Sequence, residues 1–365
     1  MEIGIFTRKI DGVMGGMEKQ ILLIATRLIE SGNNVTIVSL DAKTPETFFK
    51  SNPNVKFRIV PAVNSDVKAS IWERIYRQVR IFRVMKDSKF DVVMSFSTGS
   101  LWYSAIPAKL SRTRIVLCER TGPSVYTITR AKKYRWLIFL GMSICDSIVV
   151  QIPSYVNSYP RFLRKRMTVI PNEVPSFTEI YRTNRESEIL TFGFLGRFCH
   201  QKQSRNLTEA FIRFNLNFPN SQLILIGGGE QEEEMIELIN SRNAQDYIKI
   251  IQSTPHITDI LRKIDVLVHP ALWEGFPNGV AEAMSLGVPV AGFSDCEGVR
   301  DLVVSGRNGW IIDRQDEVGS IVNLLSRVEL ERGRIKSMSE EAVKSMGKYS
   351  KEFSMQNWQS LLSKL

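Results

Sequence analysis

Two glutamates, Glu274 and Glu282, stand with seven residues between them in Trp-Glu-Gly-Phe-Pro-Asn-Gly-Val-Ala-Glu-Ala-Met. The segment follows the apolar run Asp265-Val-Leu-Val-His-Pro and reads as a buried strand, a turn, and a helix opening near Asn278. Such a turn offers backbone amides and the positive end of a helix dipole, a cradle for an anion. Carboxylates on either side accept hydrogen bonds from hydroxyl groups. A phosphate joined to hydroxyl-bearing rings, as in a nucleotide-sugar, suits that combination. A capping or helix-surface role for Glu282 is the plainer alternative.

Other segments carry complementary chemistry. Phe192-Gly-Phe-Leu-Gly-Arg-Phe ends a strand-like run at Gly196 and Arg197, and Lys202 follows. Two cations at a strand end can neutralise a diphosphate and stabilise it as a leaving group; solvated surface charge is the alternative. Leu223-Ile-Leu-Ile breaks into Gly227, Gly228 and Gly229, which close approach to a ligand or the packing of the next strand would explain equally. Near the start, Gly12-Val-Met-Gly-Gly places Gly15 and Gly16 before a helix, as a phosphate loop or a tight turn. The pattern is not Gly-x-Gly-x-x-Gly, which argues against a nicotinamide or flavin site. His200, His256 and His269 lack metal-ligand spacing, and no Asp-x-Asp pair occurs. No metal and no cofactor are therefore expected. His200 is placed to touch phosphate, while His256 and His269 are read as serving the fold.

The elements that must hold these groups alternate twice along the chain. Strand-like runs at Ile3–Thr7, Asn34–Leu40, Val55–Val60, Asp91–Ser95, Arg114–Cys118, Ser147–Val150 and Met167–Ile170 fill the first half. Runs at Ile189–Leu195, Gln222–Ile226, Ile248–Ile251, Val266–His269 and Val288–Gly292 fill the second. Helical periodicity lies between them, as at Ile21–Ile29, Asn206–Asn217 and Val318–Val328. The fold class is therefore α/β, with two Rossmann-like domains of parallel, helix-covered sheets and ligands at the carboxyl ends of the strands, in a crevice between the halves. The boundaries are residues 1–172, a polar linker over 173–187, a second domain over 188–347, and an amphipathic closing helix within 348–365 that returns to the first domain.

Composition limits the setting. Cys118, Cys145, Cys199 and Cys296 are scattered and read as free thiols of a reducing compartment. No apolar run approaches the roughly 18 residues that cross a bilayer, and the N-terminal residues lack the layout of a signal peptide. A cytoplasmic protein is expected. Residues 1–180 hold 27 Lys+Arg against 14 Asp+Glu, a net +13, so the remainder of the overall +10 is −3. Basicity confined to one half points to a polyanion or an anionic membrane surface. Ile71-Trp-Glu-Arg-Ile-Tyr-Arg-Gln-Val-Arg-Ile-Phe-Arg places Trp72 beside Arg74, Arg77, Arg80 and Arg83. Lys132-Lys-Tyr-Arg-Trp and Arg161-Phe-Leu-Arg-Lys-Arg repeat the character. A basic helix with aromatics can lie on anionic lipid; a sheet-covering helix with a solvated face is the alternative. No nucleic-acid-binding signature accompanies the charge.

The set Gly15-Gly16, Gly196-Arg197, Lys202, Gly227–Gly229, and above all Glu274 and Glu282 followed by Ala-Met-Ser-Leu-Gly-Val-Pro-Val, resembles glycosyltransferase family 4. The resemblance covers nearly the whole chain in the family's order, and Asp146, Pro171-Asn172 and Gly306-Arg-Asn-Gly-Trp fit it as well. It implies the GT-B architecture and retaining transfer of a hexose or N-acetylhexosamine from a nucleotide-sugar, UDP-linked by preference. By position it assigns the donor diphosphate to Arg197 and Lys202, the transferred sugar to Glu274, and the ribose to Glu282. Amides of the stretch Gly275, Phe276, Pro277 and Asn278 meet sugar and phosphates, Gly279 belongs to the same donor site, and Gly16 closes over the phosphate from the other domain. Gln203 stands where the family has glycine. Cys118-Glu119-Arg120 stands where many members have histidine and resembles a branch that builds bacterial capsule, exopolysaccharide and lipopolysaccharide. That makes Glu119 and Arg120 candidates for lining the acceptor or the donor sugar, with the acceptor side favoured, or else a salt-bridged strand end. The implied acceptor is a growing glycan on a polyprenyl diphosphate at the inner face of the cytoplasmic membrane. A nucleotide-sugar epimerase of the same architecture and a non-catalytic partner subunit are the alternatives.

Overall fold

The computed structural model describes residues 1–10, 15–40, 44, 47, 49–60, 70–175, 188–254 and 256–365. Gly12, and the expected linker from residue 176 onward, lie outside them. The chain divides into two compact units, Met1–Asn172 with Glu352–Leu365, and Glu173–Lys351.

In the first unit β1 (Glu2–Thr7), β2 (Asn34–Ser39), β3 (Lys56–Ile59), β4 (Val92–Phe96), β5 (Arg114–Cys118), β6 (Ser147–Val150) and β7 (Met167–Val169) form one sheet. Its order is β3-β2-β1-β4-β5-β6-β7, parallel throughout. The second unit orders β8 (Leu190–Arg197), β9 (Ser221–Gly228), β10 (Ile248–Gln252), β11 (Val266–His269), β12 (Val290–Phe293) and β13 (Gly309–Ile312) as β10-β9-β8-β11-β12-β13, again parallel. The sequence did not announce β13. Both sheets carry helices, so their central strands are buried on both faces and read as unbroken apolar runs. The helices used below are α1 (Gly16–Glu30), α2 (Ile71–Ser88), α3 (Thr98–Leu110), α4 (Arg135–Met142), α5 (Ser204–Asn215), α6 (Asn278–Ser285) and α7 (Lys351–Leu362).

Three aspartates join central strands in the same way. Asp91, Asp146 and Asp265 each accept a backbone N–H of the neighbouring strand at 2.8 Å, from Glu2, Ile115 and Thr191. Each also donates its own amide to the carbonyl of that same residue. The carboxylate thus extends the ladder past its last ordinary rung. Burial alone pushes the Asp146 carboxyl up, but the Ile115 amide and the Lys109 ammonium outweigh it and hold it low.

Helix α7 closes the first unit. Trp358, Leu361 and Leu362 sit in its core with Ile24, Leu28 and Val35, and Gln359 donates to Ser31 Oγ at 3.2 Å. Truncating Trp358 to alanine should destabilise the protein by about 3–5 kcal/mol through lost burial and the cavity left behind. Urea unfolding reads this directly, and an unchanged midpoint would detach α7 from the core.

Candidate functional site

In the second sheet β8 lies between β9 and β11: the chain runs outward on one side through β9 and β10, then crosses back to build the other side from β11. Ligands of doubly wound sheets gather at the carboxyl ends of such a strand pair. Arg197 ends β8 and His269 ends β11. Between them come the His200–Lys202 turn that leads into α5 and the 270–277 loop that leads into α6.

These segments converge on Glu274. The residue is only 8% exposed. Lys202 Nζ donates to Oε1, and His269 Nε2 lies 2.9 Å from the same oxygen. Burial pushes the Glu274 carboxyl up, yet the Lys202 ammonium and the His269 hydrogen bond overcome it and bring it down to about 2. His269 moves down as well, through burial first and the Lys202 charge second, so its ring is neutral. An ionised carboxylate only accepts, so Nε2 carries the proton and donates it. Nδ1 is bare and buried, without a partner among the described residues. Sequence reading assigned His269 to the fold; the structure places it on the glutamate, because the 270–273 loop folds back onto its own strand end.

Backbone bonds lace the assembly together. Leu272 donates to the Gln201 carbonyl at 2.9 Å, and Gln201 Nε2 returns a bond to the Trp273 carbonyl at 2.7 Å. Arg314, more than forty residues away in sequence, donates to the carbonyls of Pro270 and Ala271 at 2.9 and 3.2 Å. It also pairs with Asp295 at 2.8 Å and rests 4.0 Å over the Phe293 ring. Neither residue stood out in the sequence.

The anion cradle is narrower than expected. Pro277 has no N–H, and the Asn278 amide is spent on the Phe276 carbonyl at 2.9 Å. Ala281 to Pro277 is the first bond of the helix, which leaves the Gly279 and Val280 amides of α6 without a backbone acceptor among the described residues. A Cβ on Gly279 would sit 3.2 Å from the Leu195 side chain, so the helix start is seated directly on β8. Arg197 stands exposed at the end of that strand, and no described carboxylate pairs with it. Gly196 precedes it, and His200 is exposed in the adjoining turn. Gly275 and Phe276 are buried in the loop, and Glu282 is half-buried on α6.

Two glycine questions resolve. Gly227 has φ +152°, and a Cβ there would lie 1.9 Å from the Gly196 carbonyl oxygen; at Gly229, φ +154°, it would lie 2.5 Å from that of Phe198. Packing against β8 therefore demands them. Gln203 adopts the left-handed φ of 57°, which explains a glycine preference at this place and costs a non-glycine residue roughly 1–2 kcal/mol. Its side chain offsets part of that by donating to the His200 carbonyl at 2.9 Å and accepting from Asn206.

In the first unit Gly15 is the N-cap of α1 in an extended conformation that any residue can adopt, and Gly16 begins the helix. Glu119 is not salt-bridged to the Arg120 guanidinium. Its oxygens accept from the Arg120 and Thr121 amides, Thr121 Oγ1 and Tyr126 OH. Arg120 instead donates to Asn172 at 2.8 Å and lies 4.6 Å over the Phe96 ring. Burial raises the Cys118 thiol to about 12, so it supplies no thiolate counter-charge. Of the cations expected at a membrane, Arg77 is withdrawn: it donates to the Leu40 carbonyl and covers the Tyr103 ring. Arg164 and Arg166 are likewise committed, to the carbonyls of Tyr159 and Cys145. Arg74 and Arg83 are exposed and Arg80 is half-exposed. Cys118, Cys145 and Cys296 are buried free thiols, and Cys199 is half-buried.

Comparison with known proteins agrees with this architecture. Residues 14–175 match the model described as Glycosyltransferase Family 4, and residues 178–352 match Glycosyl transferases group 1. AmsD, a glycosyltransferase of amylovoran biosynthesis from Erwinia amylovora, is 22% identical over 97% of this chain and 98% of its own. An alpha-1,4-N-acetyl-D-galactosaminyltransferase of Campylobacter jejuni, named for a diNAcBac-PP-undecaprenol-linked substrate, is 24% identical over 83% of each chain. The chain spans 61% of the length of a further relative, an uncharacterized glycosyltransferase of Methanocaldococcus jannaschii. Among solved structures, Anabaena HepE in complex with UDP and glucose superposes with a TM-score of 0.78 over 100% of both chains at 15% identity, a likeness of fold. The chain belongs to glycosyltransferase family 4, with the GT-B pair of Rossmann-like domains, and is a glycosyltransferase.

Replacing Lys202 with methionine strands the Glu274 carboxylate and should cost about 3–5 kcal/mol. Adding Glu274→Gln should recover much of the loss, whereas simply additive losses in urea titrations would deny the pair. Glu274, held below its ordinary 4.5, contributes stability that is whole above that pH and fades toward about 2. His269 acts in the same sense, because below 6.5 the unfolded chain takes up a proton that the folded chain refuses. Wild-type protein should therefore lose stability on acidification, and the double variant should lose less between pH 4.5 and 2.

Proposed function

We propose that the protein is a retaining glycosyltransferase that moves a hexose or N-acetylhexosamine from a UDP-sugar to a growing lipid-linked glycan, for capsule, exopolysaccharide or lipopolysaccharide. The observation that carries this reading is the buried, ionised Glu274 clamped by Lys202, at the same end of the sheet as the exposed Arg197, which has no carboxylate partner among the described residues, and the α6 amides. Sugar hydroxyls need acceptors and a diphosphate needs cations, and both stand at one strand end. The undecaprenol-linked substrate named for the Campylobacter relative supports the choice of acceptor.

On this reading Arg197, Lys202 and the Gly279 and Val280 amides of α6 take the diphosphate, and Glu282 takes the ribose. The bond from the anomeric carbon to phosphate breaks as the acceptor hydroxyl approaches on the same face. Its proton passes to the departing phosphate oxygen, so no side chain has to be the base. Positive charge developing on the sugar faces the Glu274 carboxylate, which is ionised at any working pH. Leaving-group charge falls on guanidinium, ammonium and helix-end amides without a divalent ion.

The test is transfer itself. Purified protein given radiolabelled UDP-sugars and membrane lipid extract should label the lipid fraction, and NMR of the product should show the donor's anomeric configuration kept. An inverted product overturns retention, and isomerisation of the donor without any acceptor replaces transfer with epimerisation. Arg197→Ala and Glu282→Gln should each lower turnover by orders of magnitude with the fold intact by circular dichroism. Near-normal rates in either would refute its place in the site.

A further inference from the structure

The first unit exposes an apolar face that its neighbours leave uncovered. On α2, Trp72, Ile75, Tyr76 and Val79 recur at helical spacing, and Trp72 is 76% exposed. On α3 the exposed positions are Trp102, Ile106 and Leu110, and on α4 they are Trp136, Leu137 and Leu140. Trp102 is 46% exposed and Trp136 is 59% exposed. The three stripes adjoin. Gln78 of α2 donates to the Trp102 carbonyl at 3.3 Å, and a Cβ on Gly141 of α4 would sit 3.0 Å from the Trp102 ring. A monomeric protein rarely leaves apolar surface contiguous over three helices without a partner.

Charge indicates which partner. Helices α2, α3 and α4, with the Arg130–Tyr134 turn that leads into α4, hold ten lysines and arginines and two acidic residues. Cations flank exposed rings: Arg80 lies 5.4 Å from the Tyr76 ring, Lys133 5.6 Å from Tyr134, and Arg135 5.7 Å from Trp136. Arginines spaced every third residue wind round a helix of about 3.6 residues per turn, so Arg74 and Arg83 lie half a turn apart and cannot share the face. The apolar residues at i, i+3, i+4 and i+7 can. Aromatic bodies with cationic tips beside them suit the boundary between acyl chains and anionic head groups. No helix among the described residues is long and apolar enough to cross a membrane, so insertion would be shallow.

We infer that the α2–α3–α4 face seats the first unit on an anionic lipid bilayer, with Trp72, Trp102 and Trp136 in the head-group region. The inference rests on the proposal of a lipid-linked acceptor but is read without it. The full-length protein is mixed with vesicles of phosphatidylglycerol or of phosphatidylcholine, some with brominated acyl chains, and no sugar is added. Phosphatidylglycerol vesicles should sediment the protein at low salt, and shallow bromines should quench its tryptophans. Trp72→Ser with Trp136→Ser should reduce partitioning at least tenfold. Charge reversal at Arg80, Arg83 (four residues after Val79, on the apolar row) and Lys133 should reduce it by about fivefold or more for each cation lost. Transfer to a water-soluble acceptor should persist in these variants, which also shows that they fold. Absence of binding at low salt, binding unaltered by either set, or a dimer in sedimentation that the tryptophan changes dissolve would overturn the inference. Vesicle binding without any transfer would sink the proposed function and leave the surface standing.

Discussion

A buried carboxylate persists only where its charge is met, and the switch point of the second sheet is arranged to meet that of Glu274. Three stretches of chain supply the answer: the turn after β8 with Lys202, the last residue of β11 with His269, and the loop that carries the glutamate. Gln201 and Arg314 tie down the backbone between them. Without the ammonium, burial would push the carboxyl up against the His269 hydrogen bond alone. Without the carboxylate the ammonium would have no reason to point inward. Each conditions the other, so the place is organised before any ligand arrives. On the proposed reading an incoming diphosphate then competes for a cation already in position, and the exposed Arg197 meets it first.

Much of this was written in the order of residues. Parallel strands buried on both faces show as apolar runs, which is why twelve of the thirteen strands could be placed; β13 is four residues long and its edge position blurs the pattern. The glutamates, Arg197 and Lys202 stood out through chemistry and spacing. The clamp itself did not. A histidine ending an apolar run looks like any core histidine until the following loop doubles back, and that reversal depends on Arg314, forty-odd residues downstream. Gly227 and Gly229 suited a ligand as well as a neighbouring strand, and only the Gly196 and Phe198 carbonyls decide.

The first half was less legible. Arginines every third residue wind around α2 by helical geometry, and the Leu40 carbonyl takes Arg77 out of the set. Helices α3 and α4 escaped notice because their exposed sides are apolar, so the polar half of the usual amphipathic signal is missing. A feature that spoils sequence patterning is thus the one that marks an unpartnered surface. The two units divide the chemistry accordingly: basic and apolar surface in the first, a carboxylate–cation assembly at a strand end in the second.

The ionisation of Glu274 tests the account most directly. With the glutamate carboxyl carbons labelled, a carbon-13 titration should find one resonance still in the carboxylate state well below pH 4.5 and absent in Glu274→Gln. The same resonance should move when a UDP-sugar is added, as Lys202 is shared with the diphosphate. A carboxyl that titrates like an exposed glutamate and ignores the nucleotide would contradict both the clamp and the site built on it.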